Sequence, residues 1–341
     1  MLEHRKVLTC AKRTWIRWET TCVEHRVENS EQWQRLVSAQ DGLVTRQQAL
    51  AHGWTPDAIA AQIEGGRWTL RKRGVLATFT GALTPEARRR AALLFVRGPA
   101  ALSHASAAAV LGLRREDERG AVHVTVPYGS SARGCSDVVL HRSRAFAHIT
   151  VDEDPPHVGK AHTILDLAVD ARDARGAMRV FTSLAAAARV PAQLLEEAIE
   201  LRRPRRYLRP LRDAVTLLRE GVGSVLEADW ALDVERAHGL PAPTRQFSVV
   251  VEGHRRAEDL LYAMPRGELI VRLDGWRYHA DKTTARSDRA RDNAAELAHR
   301  ARMTFGWEEV HHEPCEAAVL VGVRLRELGW EDEPQRCTSC M

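Results

Sequence analysis

The sequence predicts a multidomain protein of mixed structure, an α/β (α+β) chain with three ordered parts. Three observations predict it. Near the N-terminus, three short helical patterns precede two short strands about a basic turn, the order of a winged helix-turn-helix. In the middle, Ala-rich helical patterns share the chain with alternating strands, which gives a mixed α/β domain. Toward the C-terminus a helix, three strands, a helix, a fourth strand and a closing helix make an α/β layer on one open sheet. The expected divisions are 31–82, 83–205 and 216–330, with 1–30 a disordered extension and 331–341 a disordered tail.

The elements follow in chain order. Residues 1–30 show no clean periodicity, so order is expected from Glu31. "EQWQRLVSAQDG" reads as a helix closed by Gly42, and "LVTRQQALAHGW" as a second helix capped by Thr45 and stopped by Gly53. In "TPDAIAAQIEGGRW", Thr55 is the N-cap, Pro56 the first helical residue and Gly65-Gly66 the stop. "WTLRKRGVLATF" gives two strands about the turn Arg71-Lys72-Arg73-Gly74. The third helix carries Asp57 and Glu64 and no cation, so DNA contact is expected from Arg67, Arg71, Lys72 and Arg73 on the wing, through phosphates rather than bases. Two Ala-rich helices fill 84–112, "HVTVP" and "VVLHRS" alternate as strands, and "LRRPRRYLRP" reads as a joint between helices or a domain boundary. "VLEADWALDVERAHG" then places Leu226, Trp230, Val234 and Ala237 on one helical face.

Composition bounds the rest. With 44% hydrophobic and 28% charged residues among 341, the chain can bury a core in each part. No apolar run approaches the roughly 18 residues of a membrane helix, and the first residues lack a signal-peptide core, so a cytoplasmic protein with no membrane partner is expected. Of six cysteines, Cys337 and Cys340 form a C-x-x-C, but no second ligand pair stands at suitable spacing nearby. Reduced, metal-free thiols are therefore the expectation. A net charge of +5 permits nucleic acid as a partner, although Arg- and Ala-rich composition also follows from a GC-rich genome.

The candidate chemistry gathers near "LIVRLDGWRYH". Alternation sends Leu269, Val271 and Leu273 one way and Ile270, Arg272 and Asp274 the other. If this strand pairs with "AEDLLY" as a hairpin, Asp259 and Asp274 converge at one sheet edge, within reach of Glu227 on the preceding helix. Three such carboxylates repel one another unless a hard divalent cation, Mg²⁺, relieves them. His279 could then act as acid or base, and Arg286, Arg289 and Arg291 could clamp phosphates. Each acid has an ordinary alternative. Asp259 can cap a turn, Glu227 can pair with an arginine, and Asp288 and Asp292 can form solvated ion pairs.

"AEDLLY", "LIVRLDGWRYH", "SDRARDN" and "FGWEEV", with Glu227 ahead of them, resemble the uncharacterised-domain family allied to very-short-patch-repair (Vsr-like) endonucleases, within the restriction-endonuclease-like superfamily. The resemblance spans roughly 216–330. It implies Mg²⁺-dependent DNA cleavage, with Glu227, Asp259 and Asp274 as metal ligands and catalytic acids and His279 beyond the third strand. Members often read Glu-x-Asp-Gly there, whereas this chain reads Arg272-Leu273-Asp274-Gly275. The repair nucleases themselves lack an acid at that position, so Arg272 either contacts substrate at a working site or replaces a lost ligand and leaves the site inert. "LVSAQDGLVTRQQALAHGW", "GRWTLRKRGVLAT" and "LSHASAAAVLGL" resemble the AbiEi family of type IV antitoxins, over roughly 31–200. That likeness implies a DNA-binding autorepressor with a cognate toxin or other protein as partner. Three functions thus stand: a metal-dependent nicking or cleaving enzyme, a non-catalytic regulator with a degenerate nuclease fold, and an antitoxin whose C-terminal half binds a partner protein.

Overall fold

The computed structural model describes residues 30–274, except 116, 118, 252 and 253, and residues 300–340, except 339. It is a mixed α/β protein with three separate sheets. The chain divides into two compact units, 1–163 and 164–341.

The first unit opens with α1 (Glu31–Ala39), β1 (Leu43–Thr45), α2 (Arg46–Ala51), α3 (Pro56–Glu64), β2 (Thr69–Lys72) and β3 (Val75–Ala77). The three strands form a sheet in the order β1-β3-β2, the winged-helix arrangement. Local chemistry sets these boundaries. Ser30 caps α1, and Thr45 and Gln48 cap α2 reciprocally as a capping box. Thr55 caps α3 with Pro56 in its first turn. Gly42 must be glycine for two reasons: its φ is +77°, and a Cβ there would meet the Phe79 ring at 2.8 Å. β1 was not expected. Its three residues read as the start of α2, but they pair with β3 and hold the wing to the helices. Trp33, Trp54 and Trp68 meet in the core with Ala58, Ile59 and Leu76.

The rest of this unit is α4 (Pro85–Val96), β4 (Ala101–Leu102), α5 (His104–Val110), β5 (Val122–Pro127), β6 (Val138–Ser143), α6 (Phe146–Ile149), β7 (Thr150–Val151) and β8 (His157–Val158). Its sheet runs β6-β5-β4-β8-β7, with β5 and β6 parallel. Val122, Val124 and Val126 turn inward onto Ala92 and Val96 of α4.

A helix, α7 (Lys160–Val169), leads into the second unit. There α8 (Ala174–Ala187), α9 (Ala192–Arg202) and α10 (Leu208–Arg219) precede α11 (Val225–Asp229), which continues as a π-helical stretch, Trp230–Arg236. The arginine- and proline-rich stretch is the joint between α9 and α10. A meander follows: β9 (Thr244–Val251), β10 (His254–Met264) and β11 (Gly267–Asp274). β12 (Ala301–Gly306) pairs with β11 in parallel, so the sheet order is β12-β11-β10-β9. α12 (Trp307–His312) and α13 (Pro314–Glu327) close the chain. One face of the sheet, including Leu260, Tyr262, Leu269, Val271 and Phe305, packs on Leu226, Trp230 and Val234 and on α13. Among the described residues no helix is long and apolar enough to cross a membrane.

Candidate functional site

The expected acidic site lies where α11 meets β9, β10 and β11. Ser224 caps α11 by accepting the Glu227 N–H at 3.1 Å. The Glu227 carboxylate turns back and accepts from the Gly223 N–H at 3.0 Å and from the Gln246 amide at 3.3 Å. It is buried, and both its oxygens have hydrogen-bond duties at a helix start. Gln246 sits on β9 with φ +51°, a left-handed conformation uncommon for a side-chain-bearing residue.

On β10, Glu258 pairs with Phe247 and Leu260 with Arg245, so Asp259 falls opposite Gln246. The β10–β11 ladder begins at Leu260↔Val271. Beyond it the Asp259 carboxylate, in place of a backbone carbonyl, accepts the Leu273 N–H at 2.8 Å. Asp274 is exposed at the end of β11. Arg272 points into the protein instead. It is 7% exposed and makes a two-pronged ion pair with Glu258, itself 2% exposed, at 2.7 and 2.9 Å. This is the fork geometry that a guanidinium and a carboxylate share. His279, Arg286, Arg289 and Arg291 lie outside the described residues.

The three acids expected to hold Mg²⁺ therefore occupy one end of the sheet without forming a chelate. Among the described residues, the groups of three or more potential ligands within 4.8 Å of one another are one of histidine with cysteines and one of histidines alone, and neither contains a carboxylate. Glu227, Asp259 and Asp274 are not among those groups, and a buried guanidinium stands beside Asp259. Glu258 is the residue that the sequence reading passed over. The signal was available: an arginine in the middle of an apolar strand must find a carboxylate, and Glu258 stands in the neighbouring strand.

A second set of acids lies deeper on α11. Asp229 and Asp233 bind Arg179 of α8, Asp233 at 2.8 Å, and Arg175 adds a further contact to Asp233 at 2.8 Å. Burial raises the Asp229 carboxyl above its ordinary range, against the pull of Arg179. Tyr262 donates to Glu235 at 3.1 Å and accepts from the Trp230 indole at 3.2 Å, while Arg245 caps the other Glu235 oxygen. These ties fasten α8, β9 and β10 to α11 and are structural in character.

In the first unit the wing residues divide into two kinds. Arg71 donates to the Gly81 carbonyl and lies over the Phe79 ring, and Lys72 pairs with Asp137. Arg67 and Arg73 are exposed, Arg67 braced by Gln62. A groove of about 810 Å³ runs beside the wing turn at Gly74, and its lining includes Arg46 and Arg97, two cations that the sequence reading did not single out. The exposed positions of α3 include Asp57 and Glu64. Cationic character therefore belongs to the wing and its groove, and the outer face of α3 is acidic.

No family model and no curated protein matches the chain. Among solved structures, the Rv2827c protein of Mycobacterium tuberculosis aligns with a TM-score of 0.38 and 18% identity, over 63% of this chain and 87% of that one. It is a distant structural match.

Proposed function

We propose that this protein is a DNA-binding regulator that holds duplex DNA through the wing of its winged helix and does not cleave it. The Arg272–Glu258 pair carries this reading. Arg272 stands at the strand position where members of the family that residues 216–330 resemble often place an acid, and it is held there in a buried ion pair with Glu258. The winged-helix order, the exposed Arg67 and Arg73, and the groove with Arg46 and Arg97 support DNA contact. So does the likeness of residues 31–200 to autorepressing antitoxins. The acidic α3 repels phosphate, so affinity rests on the wing and carries little base preference.

Three measurements test the proposal. Arg67→Ala with Arg73→Ala is expected to weaken binding similarly on unrelated duplexes and to flatten its salt dependence, by roughly 0.9 in log–log slope per lost phosphate contact. An unchanged slope would remove the wing from the interface. Wild-type protein with Mg²⁺ is expected to leave supercoiled plasmid intact. Nicking that Asp259→Asn abolishes would overturn the regulator reading and restore the enzyme. Arg272→Glu serves as the complement. It sets a second carboxylate beside Glu258, and Mg²⁺ is expected to raise the Tm of that variant and not of the wild type.

A further inference from the structure

The two cysteines that the sequence left without partners have them in the fold. Cys337 and Cys340 lie on the segment after α13, Cys315 is the second residue of α13, and His238 follows the π-helical stretch of α11. Their ligand atoms all fall within 4.8 Å of one another. Cys315 Sγ and Cys337 Sγ are 3.6 Å apart, Cys337 Sγ and Cys340 Sγ 3.6 Å, and Cys340 Sγ and His238 Nε2 3.4 Å. A tetrahedral zinc ion, about 2.3 Å from sulfur and about 2.0 Å from nitrogen, separates two sulfurs by about 3.8 Å and a sulfur from a nitrogen by about 3.5 Å. These three separations already lie close to those values, and every other pair lies within 4.8 Å. A disulfide would need about 2.0 Å between sulfurs, so these are separate thiols.

The histidine supplies an independent observation. His238 is 2% exposed, and its Nδ1 lies 3.1 Å from the Val234 carbonyl. A carbonyl can only accept, so Nδ1 carries the proton and Nε2 presents its lone pair toward Cys340. Metal-bound histidines are oriented in this way, by a backbone acceptor on the far ring nitrogen. The C-terminal segment is also positioned by main-chain bonds. Gln335 N–H donates to the His238 carbonyl at 2.8 Å, and Cys340 N–H donates to the Cys337 carbonyl at 3.2 Å, closing a tight turn between the two thiols.

The histidines of the first unit make a contrast. His104 and His141 stack with ring centroids 3.6 Å apart and planes at 17°. Lone pairs lie in the ring planes, so stacked rings direct them side by side instead of toward one ion.

We propose that His238, Cys315, Cys337 and Cys340 bind one Zn²⁺ in a closed, structural Cys₃His site. On binding, three thiols release their protons to solvent, and the metal takes three thiolates and one neutral imidazole, for a net charge of −1. No oxidant or reductant is involved. All four positions are filled by protein, so no coordination site remains for water or substrate, and the role is to fasten the C-terminal segment across α11 and α13.

The test uses the untagged full chain, purified with reductant and without chelator. Elemental analysis is expected to find one zinc per chain, and Cys135→Ser is expected to keep it. Cys315→Ser and His238→Ala are each expected to retain less than about a tenth of it. Because those variants can misfold, a second measurement uses the wild type alone. After zinc removal under reducing conditions, Co²⁺ is expected to give thiolate charge-transfer and tetrahedral d–d absorption that saturates at one equivalent and is displaced by Zn²⁺. Zinc far below one per chain, together with no cobalt spectrum, would overturn the site. So would a Cys337–Cys340 or Cys315–Cys337 disulfide in protein purified without oxidant.

Discussion

Glu258→Ala is expected to destabilise the second unit by about 3–5 kcal/mol, measured by urea unfolding. The substitution strips the carboxylate from a guanidinium that is itself buried and that cannot give up its proton. Two charge-assisted hydrogen bonds, at 2.7 and 2.9 Å, are lost. Removing both charges together is a different matter. Glu258→Leu with Arg272→Met trades the pair for apolar volume and is expected to fall within about 1–2 kcal/mol of the wild type, because the desolvation of both ions then disappears as well. If the single variant costs less than about 1 kcal/mol, the level of an exposed surface pair, the pair is solvated in solution. The regulator proposal, which rests on a buried pair at that strand position, would then fall.

Trp54→Ala is expected to cost the first unit about 3–5 kcal/mol. Trp54 is 2% exposed and packs against both other indoles of the core, 5.5 Å from Trp33 and 4.5 Å from Trp68 between centroids. It also sits at the turn between α2 and α3, where its N–H donates to the Ala49 carbonyl at 3.1 Å. Truncation leaves a cavity lined by two large rings that cannot collapse into it, because Trp33 is fixed on α1 and Trp68 at the entry to β2. DNA affinity should fall in step, since the wing hangs from the same core. Circular dichroism across a thermal ramp, followed by duplex binding below the transition, separates the two effects. A variant that melts with the wild type would show that the indole cluster is peripheral to the winged helix.

Much of the fold was legible because its signals are local. Thr45, Thr55 and Pro56 mark helix starts by chemistry that acts within one turn, and the strands 244–251, 254–264 and 267–274 show in apolar alternation bounded by short turns. β1 escaped because three residues carry no period, and only their pairing with β3 makes them a strand. The candidate site was legible in its residue types and not in its pairings. Strand alternation placed Arg272 in a row with Asp274, yet the two end differently, one buried and one exposed, because a carboxylate on the neighbouring strand draws the guanidinium inward. Glu227 looked like a ligand and is also a helix cap. The cysteine–histidine cluster was beyond reach for a plainer reason. Its members come from positions 238, 315, 337 and 340, and no spacing rule joins the end of one helix to the start of another.

The parallel pairing of β12 bears on how the second unit assembles. β9, β10 and β11 each pair with a chain neighbour across a short turn, whereas Leu269 finds Ala301 only after 32 positions (301 − 269). Pairings between distant positions form late, because the loop between them must close first. Without β12 the meander would end at β11 as an open margin. That margin reads Glu268-Leu269-Ile270-Val271, with backbone donors and acceptors unpaired beside three apolar side chains, which is a template for any other chain in the same state. The arrival of β12 covers it. The fourth strand thus covers an apolar edge that would otherwise be free to pair with another chain.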